Sequence, residues 1–299
     1  MQTAKRILMV RPARFTYNEQ TAKNNFFQEK LPVADLNEKV QKEFDDFVSE
    51  LRANHIHVIV VQDIDYPHTP DSIFPNNWFS THPTGELVLY PMFAENRRAE
   101  RKPDVLGAIR RHYPTDKILD LTFGEKENKF LEGTGSIIFD HTNKTAYACR
   151  SERTNEHLFQ DFCKQMNFNP VLFTSLDENN NPIYHTNVML SIGERIAVVC
   201  AESIRDEGER KQVINSLQKA GKDIIEISFD QMKLFCANII EVYNLANENC
   251  LIMSDAAKNA FTPQQMEVIK KYCKIVSSPL STIERVGGGS ARCMIAEIF

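Results

Sequence analysis

Cys293 follows a run of three glycines, in the stretch Gly287-Gly288-Gly289-Ser290-Ala291-Arg292-Cys293-Met294. Glycines let the backbone take φ > 0 and approach a ligand closely. A cysteine beside an arginine has the setting that lowers a thiol pKa. One of seven cysteines can equally be a small buried hydrophobe, so Cys293 gains meaning only from its company. That company is Glu132-Gly133-Thr134-Gly135, His185-Thr186-Asn187, and Asp71 with Pro75-Asn76-Asn77-Trp78. A thiol, an imidazole and a carboxylate are the parts of an activated cysteine nucleophile. In such a set His185 holds Cys293 as thiolate and later protonates a leaving nitrogen, while Glu132 fixes the imidazole and stabilises its charged form. Taken singly, His185 reads as a strand-end histidine satisfied by a carbonyl, and Glu132 as a solvated turn acid. Only a fold that gathers them joins them into a site.

The hydrophobic pattern supplies such a fold. Residues 72–81 and 86–92 read as two strands around Pro83-Thr84-Gly85, and the figure returns at 136–139 and 145–149, at 187–191 and 196–200, and at 236–243 and 251–253. The later turns are His141-Thr142-Asn143, Ile192-Gly193-Glu194 and Asn247-Glu248-Asn249. Amphipathic stretches at 36–51, 156–166, 207–217 and 263–272 have helical spacing. Pro263 suits a first helical position with Thr262 as its cap. Strand pairs recur about every 50 to 65 residues, near the long end of radial and stacked repeats. Lone strands at 6–10 and 293–299 would pair to complete a fifth unit and close a ring without an open edge. With no Pro/Gly/Ser-rich linker, one closed domain over 1–299 is expected rather than two α/β domains. In a radial repeat, equivalent strand ends converge on the axis, where each polar group above stands.

Composition narrows the class. A net charge of −5 over 299 residues argues against a general nucleic-acid binder. No apolar run approaches the ~20 residues of a membrane span. Met1-Gln2-Thr3-Ala4-Lys5-Arg6 leads into Arg11-Pro12 too soon to make a signal peptide. Seven scattered cysteines without a CxxC pair indicate neither a disulfide framework nor a zinc site, and point to a reducing, cytoplasmic setting. His55 and His57 lack a third ligand, so no metal is expected. GxSxG and GxxxxGK[ST] motifs are absent.

In their order along nearly the whole chain, these motifs resemble those of the guanidino-group-modifying superfamily of arginine deiminases, dimethylarginine hydrolases and amidinotransferases. Leu131-Glu132-Gly133 resembles its EGG segment, His185-Thr186-Asn187 its histidine motif, and Gly289-Ser290-Ala291-Arg292-Cys293-Met294 the deiminase nucleophile segment. Ser151-Glu152-Arg153-Thr154-Asn155 resembles the segment whose arginine grips a substrate carboxylate, and Asn96-Arg97-Arg98 a second such segment. The resemblance implies an α/β fold, a pseudo-symmetric five-bladed ββαβ propeller. It implies catalysis by Cys293, His185 and Glu132, a carboxylate clamp of Arg153 and Arg97, Asp71 at the α-amine, and no organic or metal cofactor.

The departures are informative. Arginine deiminases carry an acid where this chain has Asn77, dimethylarginine hydrolases carry acids at both Asn76 and Asn77, and the deiminase histidine motif has aspartate at Asn187. Those acids hold a cationic guanidinium by bidentate charge-assisted hydrogen bonds. Asparagine keeps an acceptor oxygen, adds N–H donors and loses the charge, which matches a neutral ureido group. The expectation is therefore a citrulline-utilisation type of hydrolase giving ornithine, carbon dioxide and ammonia through a thiocarbamate-type intermediate. A deiminase acting on arginine and a non-catalytic propeller are the alternatives. The expected partner is a small ureido or guanidino amino acid; a homo-oligomer is compatible with the sequence. The loops 16–33 and 177–184 are candidate lids.

Overall fold

The apolar run Arg6–Arg11 has its four central residues buried, as a strand covered on both faces requires. It pairs in parallel with His57–Gln62, register Arg6 to His57, and antiparallel with Ala296–Ile298, register Leu8 to Ala296. The two ends of the chain thus share one three-stranded sheet, and no blade is left with an open seam at the point of closure. The computed structural model describes all residues, 1–299.

Five three-stranded sheets make up the ring. The other four are Phe79–Thr81, Leu87–Leu89 and Ile118–Asp120; Ile137–Asp140, Thr145–Cys149 and Asn169–Phe173; Leu190–Ile192, Ile196–Val199 and Asp223–Glu226; and Ile240–Tyr243, Asn249–Ser254 and Lys274–Ser278. In each, a hairpin joins the first two strands and a helical crossover brings the third back parallel to the second. This is the ββαβ unit five times over. The fold is the α/β propeller that the superfamily resemblance implies.

The crossover helices form for legible reasons. Leu36–Ala53 buries Val40, Phe44, Phe47, Val48 and Leu51 along one face. Pro263–Tyr272 starts with a capping box in which Thr262 and Gln265 satisfy each other's backbone N–H groups. The first blade's helix, Pro103–His112, escapes the sequence reading. It buries only Val105, Ala108 and Ile109, contains Gly107, and ends in Arg110-Arg111-His112, so its apolar stripe is narrow.

The expected first strands are too long at their starts. Tight helical turns precede them at Pro75–Asn77, Gly133–Ser136 and Thr186–Val188, and the strands begin only at Phe79, Ile137 and Leu190. Likewise strands begin at Ile240 and Ala296 rather than at Cys236 and Cys293. A strand sends successive side chains to opposite faces. A tight turn instead lets neighbouring polar side chains fan out around the axis, and that is where the chemistry sits.

Candidate active site

Cys293, at the end of the glycine-rich loop, is 4% exposed. Its sulfur accepts from Asn187 Nδ2 at 3.4 Å and Asn238 Nδ2 at 3.2 Å. His185, from the third blade, places Nε2 2.8 Å from Glu132 Oε2, and Glu132 Oε1 accepts from the Phe93 backbone N–H at 2.9 Å. Burial alone would raise the Glu132 pKa, but the charge of Arg153 and the His185 contact hold it at about 2, so it is an anion. The Nε2 proton of His185 therefore points at Glu132, leaving Nδ1 as the free acceptor. Gly135 makes room for this ring: a Cβ there would lie 2.7 Å from His185 Nδ1 and 2.5 Å from Asn77 Nδ2.

The protonation states differ from the sequence expectation. Burial lowers His185 to about 4, only partly offset by Glu132. Burial likewise raises the Cys293 thiol above its ordinary 9, against the hydrogen bonds from Asn238, the Ser290 backbone and Asn187. The sulfur's side-chain partners are the two amides, not His185. Both shifts favour a neutral thiol and a neutral imidazole over a preformed thiolate–imidazolium pair.

Arg97 and Arg153, both 2% exposed, flank the pocket. Arg97 makes four hydrogen bonds: two to Glu100 at 2.8 and 3.0 Å, one to Asn77 Oδ1 at 2.6 Å and one to the Phe74 carbonyl at 2.9 Å. Burial raises Glu100 to about 7 in spite of this partner. Arg98, the other arginine of that segment, turns away to the Met92 carbonyl and Glu125. Arg153 reaches Asn24 Oδ1, the Thr21 carbonyl and, at 3.5 Å, Glu132, with its guanidinium 4.8 Å from the Tyr184 ring centre. Asp71 accepts from Asn18 and Thr21 on one oxygen, and burial raises its pKa despite Arg97 nearby.

The loop 16–33 lies over these groups. Besides the contacts to Arg153 and Asp71, Asn25 Nδ2 donates to the Gly288 carbonyl and Gln28 Nε2 to the Val286 carbonyl. Gly288 has φ +64°, and a Cβ there would meet Asn25 and Gln28 at 2.5 Å. Tyr184, from the other candidate lid, donates to the same Gly288 carbonyl at 2.7 Å. Between them remain about 20 Å³, lined by Thr21, Asp71, Asn77, Arg153, His185 and Cys293 among others. That holds about one water molecule, so an amino acid enters only when the loop moves.

Four buried polar atoms of these segments have no partner: Asp71 Oδ1 and Asn77 Nδ2, in residues that line the space, and Asn76 Oδ1 and Asn187 Oδ1, in residues that do not. Buried polar groups are normally satisfied, and unpaired ones in a pocket mark where a ligand binds. The site thus gathers Cys293, His185, Glu132, Asp71, Asn77, Arg97, Arg153 and Asn187. Glu132 and Asn187 stand behind the cavity wall, bonded to His185 and Cys293, whereas Asn76 neither lines the cavity nor bonds those groups and donates to Thr134 Oγ1 at 3.2 Å. Successive residues of a tight 3₁₀ turn point about 120° apart, so Asn76 and Asn77 cannot both face the cavity. Asn238, Asn24 and Thr21 are contributors that the sequence reading does not single out. For Asn238 a signal exists: like Asn77 and Asn187, it stands two or three residues before its blade's first strand.

Solved structures share the fold. The N-terminal domain of ArgZ, an arginine dihydrolase from the ornithine-ammonia cycle in cyanobacteria, bound to substrate, superposes with TM-score 0.76 at 16% identity over 98% of this chain and 97% of that one. AgrE in complex with L-arginine gives 0.77 at 16% identity, covering 98% of this chain but 40% of AgrE. Full-length ArgZ is likewise covered over only 40% of its length. A DDAH from Pseudomonas aeruginosa complexed with citrulline gives 0.69 at 16% identity, over 98% and 99% of the two chains. No curated protein matches the sequence. A protein-family model described as N,N dimethylarginine dimethylhydrolase, eukaryotic, matches residues 11–299, and the chain belongs to that family of hydrolases acting on guanidino C–N bonds.

Proposed function

We propose that the protein hydrolyses citrulline to ornithine, carbon dioxide and ammonia through a covalent bond to Cys293. One observation carries the choice of substrate. Arg97 donates to Asn77 Oδ1, and a guanidinium can only donate, so the Asn77 amide must present its NH2 on the other side. That NH2 is buried, has no partner, and crowds the same face of Gly135 as the His185 ring. A ureido oxygen accepts from such a donor, and the oxyanion it becomes accepts more strongly. A guanidinium presents only N–H groups there. The unpartnered Asn187 Oδ1 then takes the ureido NH2, and Asp71 Oδ1 the α-ammonium group. Arg153 holds the carboxylate once Asn24 and Thr21 swing away, helped by the one uncommitted N–H of Arg97.

The chemistry follows from the neutral resting pair. As substrate excludes the last water, the thiol proton passes to His185 Nδ1, and Glu132 stabilises the imidazolium through Nε2–H. The sulfur bonds to the ureido carbon, and the carbonyl π pair moves onto oxygen against Asn77. The C–NH2 bond then breaks, His185 gives its proton to that nitrogen, and ammonia leaves. A thiocarbamate remains between Cys293 and the side-chain nitrogen of ornithine. Water, deprotonated by His185 Nδ1, attacks the same carbon, and the C–S bond breaks with return of the proton to sulfur. The carbamate of ornithine released loses carbon dioxide. The sum is citrulline plus water to ornithine, carbon dioxide and ammonia.

Acid quenching during turnover should trap on Cys293 an adduct with the mass of citrulline less ammonia, absent in Cys293→Ala. Turnover by the wild type with no adduct, and undiminished turnover by Cys293→Ala, would both reject covalent catalysis. A second reading, deimination of arginine to citrulline, draws on the unpartnered acceptors Asp71 and Asn187 and on arginine bound in AgrE. It predicts ammonia from arginine with citrulline accumulating.

A further inference from the structure

The fourth blade contributes Asn238, and its amide is committed at both ends. Oδ1 accepts from the backbone N–H of Ser290 at 3.2 Å and of Cys293 at 3.4 Å. Nδ2 donates to the Asn187 carbonyl at 3.2 Å and to Cys293 Sγ at 3.2 Å. The orientation is not interchangeable. Two backbone donors face the oxygen and a carbonyl faces the nitrogen, so a flipped amide would set like against like at three places. The residue is 1% exposed, and its own backbone carbonyl accepts from Arg292 N–H at 3.2 Å.

We infer that Asn238 is a further catalytic residue, an amide that positions the nucleophile loop through its oxygen and stabilises the Cys293 thiolate through its N–H. The inference rests on the assignment of Cys293 as nucleophile but not on which substrate it attacks. The two roles belong to different atoms. The oxygen supplies the acceptor that the Ser290 N–H lacks in the backbone and shares the Cys293 N–H with the Ser290 carbonyl, 3.0 Å away, which matters because a glycine-rich loop has little order of its own. From the other side, Ser290 Oγ donates to Glu284 at 2.6 Å, so the loop is held between the preceding turn Ile283–Gly287 and Asn238. The N–H offers the sulfur a donor that gains strength as negative charge forms on it, at attack and again when the thiolate leaves the thiocarbamate. It also opposes the burial that pushes the thiol up.

Asn238→Asp separates the oxygen's role from the nitrogen's, because a carboxylate keeps the acceptor for Ser290 and Cys293 while replacing the donor to the sulfur, and to the Asn187 carbonyl, with negative charge. Asn238→Ala removes both. The readout is alkylation of Cys293 by iodoacetamide from pH 7 to 10, followed by peptide mass spectrometry, which separates the Cys293 peptide from those of the other six cysteines, buried like it. If the thiol pKa rises by about one unit, alkylation below the midpoint slows roughly threefold, since greater intrinsic nucleophilicity offsets part of the lost thiolate. We expect at least that slowing in Asn238→Asp with far-ultraviolet circular dichroism unchanged, and kcat lower by about tenfold or more with KM within about twofold. An Asn238→Asp protein that folds and alkylates at the wild-type rate overturns the thiolate role. So does Asn238→Ala with wild-type kcat, and that result removes the loop role as well. If alkylation shifts as expected while the wild type hydrolyses neither citrulline nor arginine, the substrate reading fails and the role of Asn238 stands.

Discussion

At the scale of single residues, the site is decided by which atoms lack partners. Asn77 is the sharpest case, because its oxygen is fixed by Arg97 and its NH2 waits unpaired. Asn77→Asp exchanges that donor for an acceptor with charge. Citrulline kcat/KM should fall by about 10² to 10³, the usual cost of one oxyanion donor, while activity on arginine or dimethylarginine holds or rises. An equal loss on all substrates would mean that Asn77 only supports Arg97. Protonation gives a second prediction. His185, held near 4 by burial, is neutral through the physiological range, so kcat/KM should keep its acid limb near pH 4 rather than 6.5. In the free protein, alkylation of Cys293 should climb through a midpoint above 9, with no step near 6. A thiolate already formed at pH 6 to 7 would contradict the neutral pair.

At the scale of elements, the sequence displays the repeat better than its edges. Alternating apolar runs mark the hairpins, and capping residues mark helices such as Pro263–Tyr272. The one-turn helices ahead of the strands are illegible because Asn76-Asn77 and Thr186-Asn187 carry no propensity that separates a tight turn from a strand start; burial at the axis decides it. The same cause hid Asn238, whose neighbours Ile239 and Ile240 read as strand and mask the polar residue before them. The lid role of loop 16–33 lies in contacts made across more than a hundred residues, such as Asn24 to Arg153. Asn24→Ala should loosen that latch and speed Cys293 alkylation several-fold at fixed pH, each lost hydrogen bond being worth about 1 kcal/mol. An unchanged rate would mean that other contacts set the opening of the loop.

At the scale of the whole molecule, the ring depends on a seam of three residue pairs between the terminal strands. Ile298 is 1% exposed in that seam, whereas Ile118, in the outermost strand of the first blade, is 45% exposed. Ile298→Asp buries an unpaired charge and should cost roughly 3 kcal/mol or more, while Ile118→Asp should stay within about 1 kcal/mol, as read by urea unfolding. Equal effects would indicate that closure adds little. The ring also explains how residues 53 and 108 positions apart, Glu132 to His185 and His185 to Cys293, form one site. No helix is long and apolar enough to cross a membrane. Family membership in a hydrolase group supports the catalytic reading of this propeller over the binding-only one. Which substrate the ring hydrolyses is tested most directly by one comparison. Purified protein is given citrulline, arginine and N,N-dimethylarginine separately, with ornithine, citrulline and ammonia quantified. Citrulline should be consumed fastest, with ornithine and ammonia formed in equal amounts. Faster release of ammonia from arginine with citrulline accumulating, or citrulline left untouched while dimethylarginine is cleaved, would contradict it.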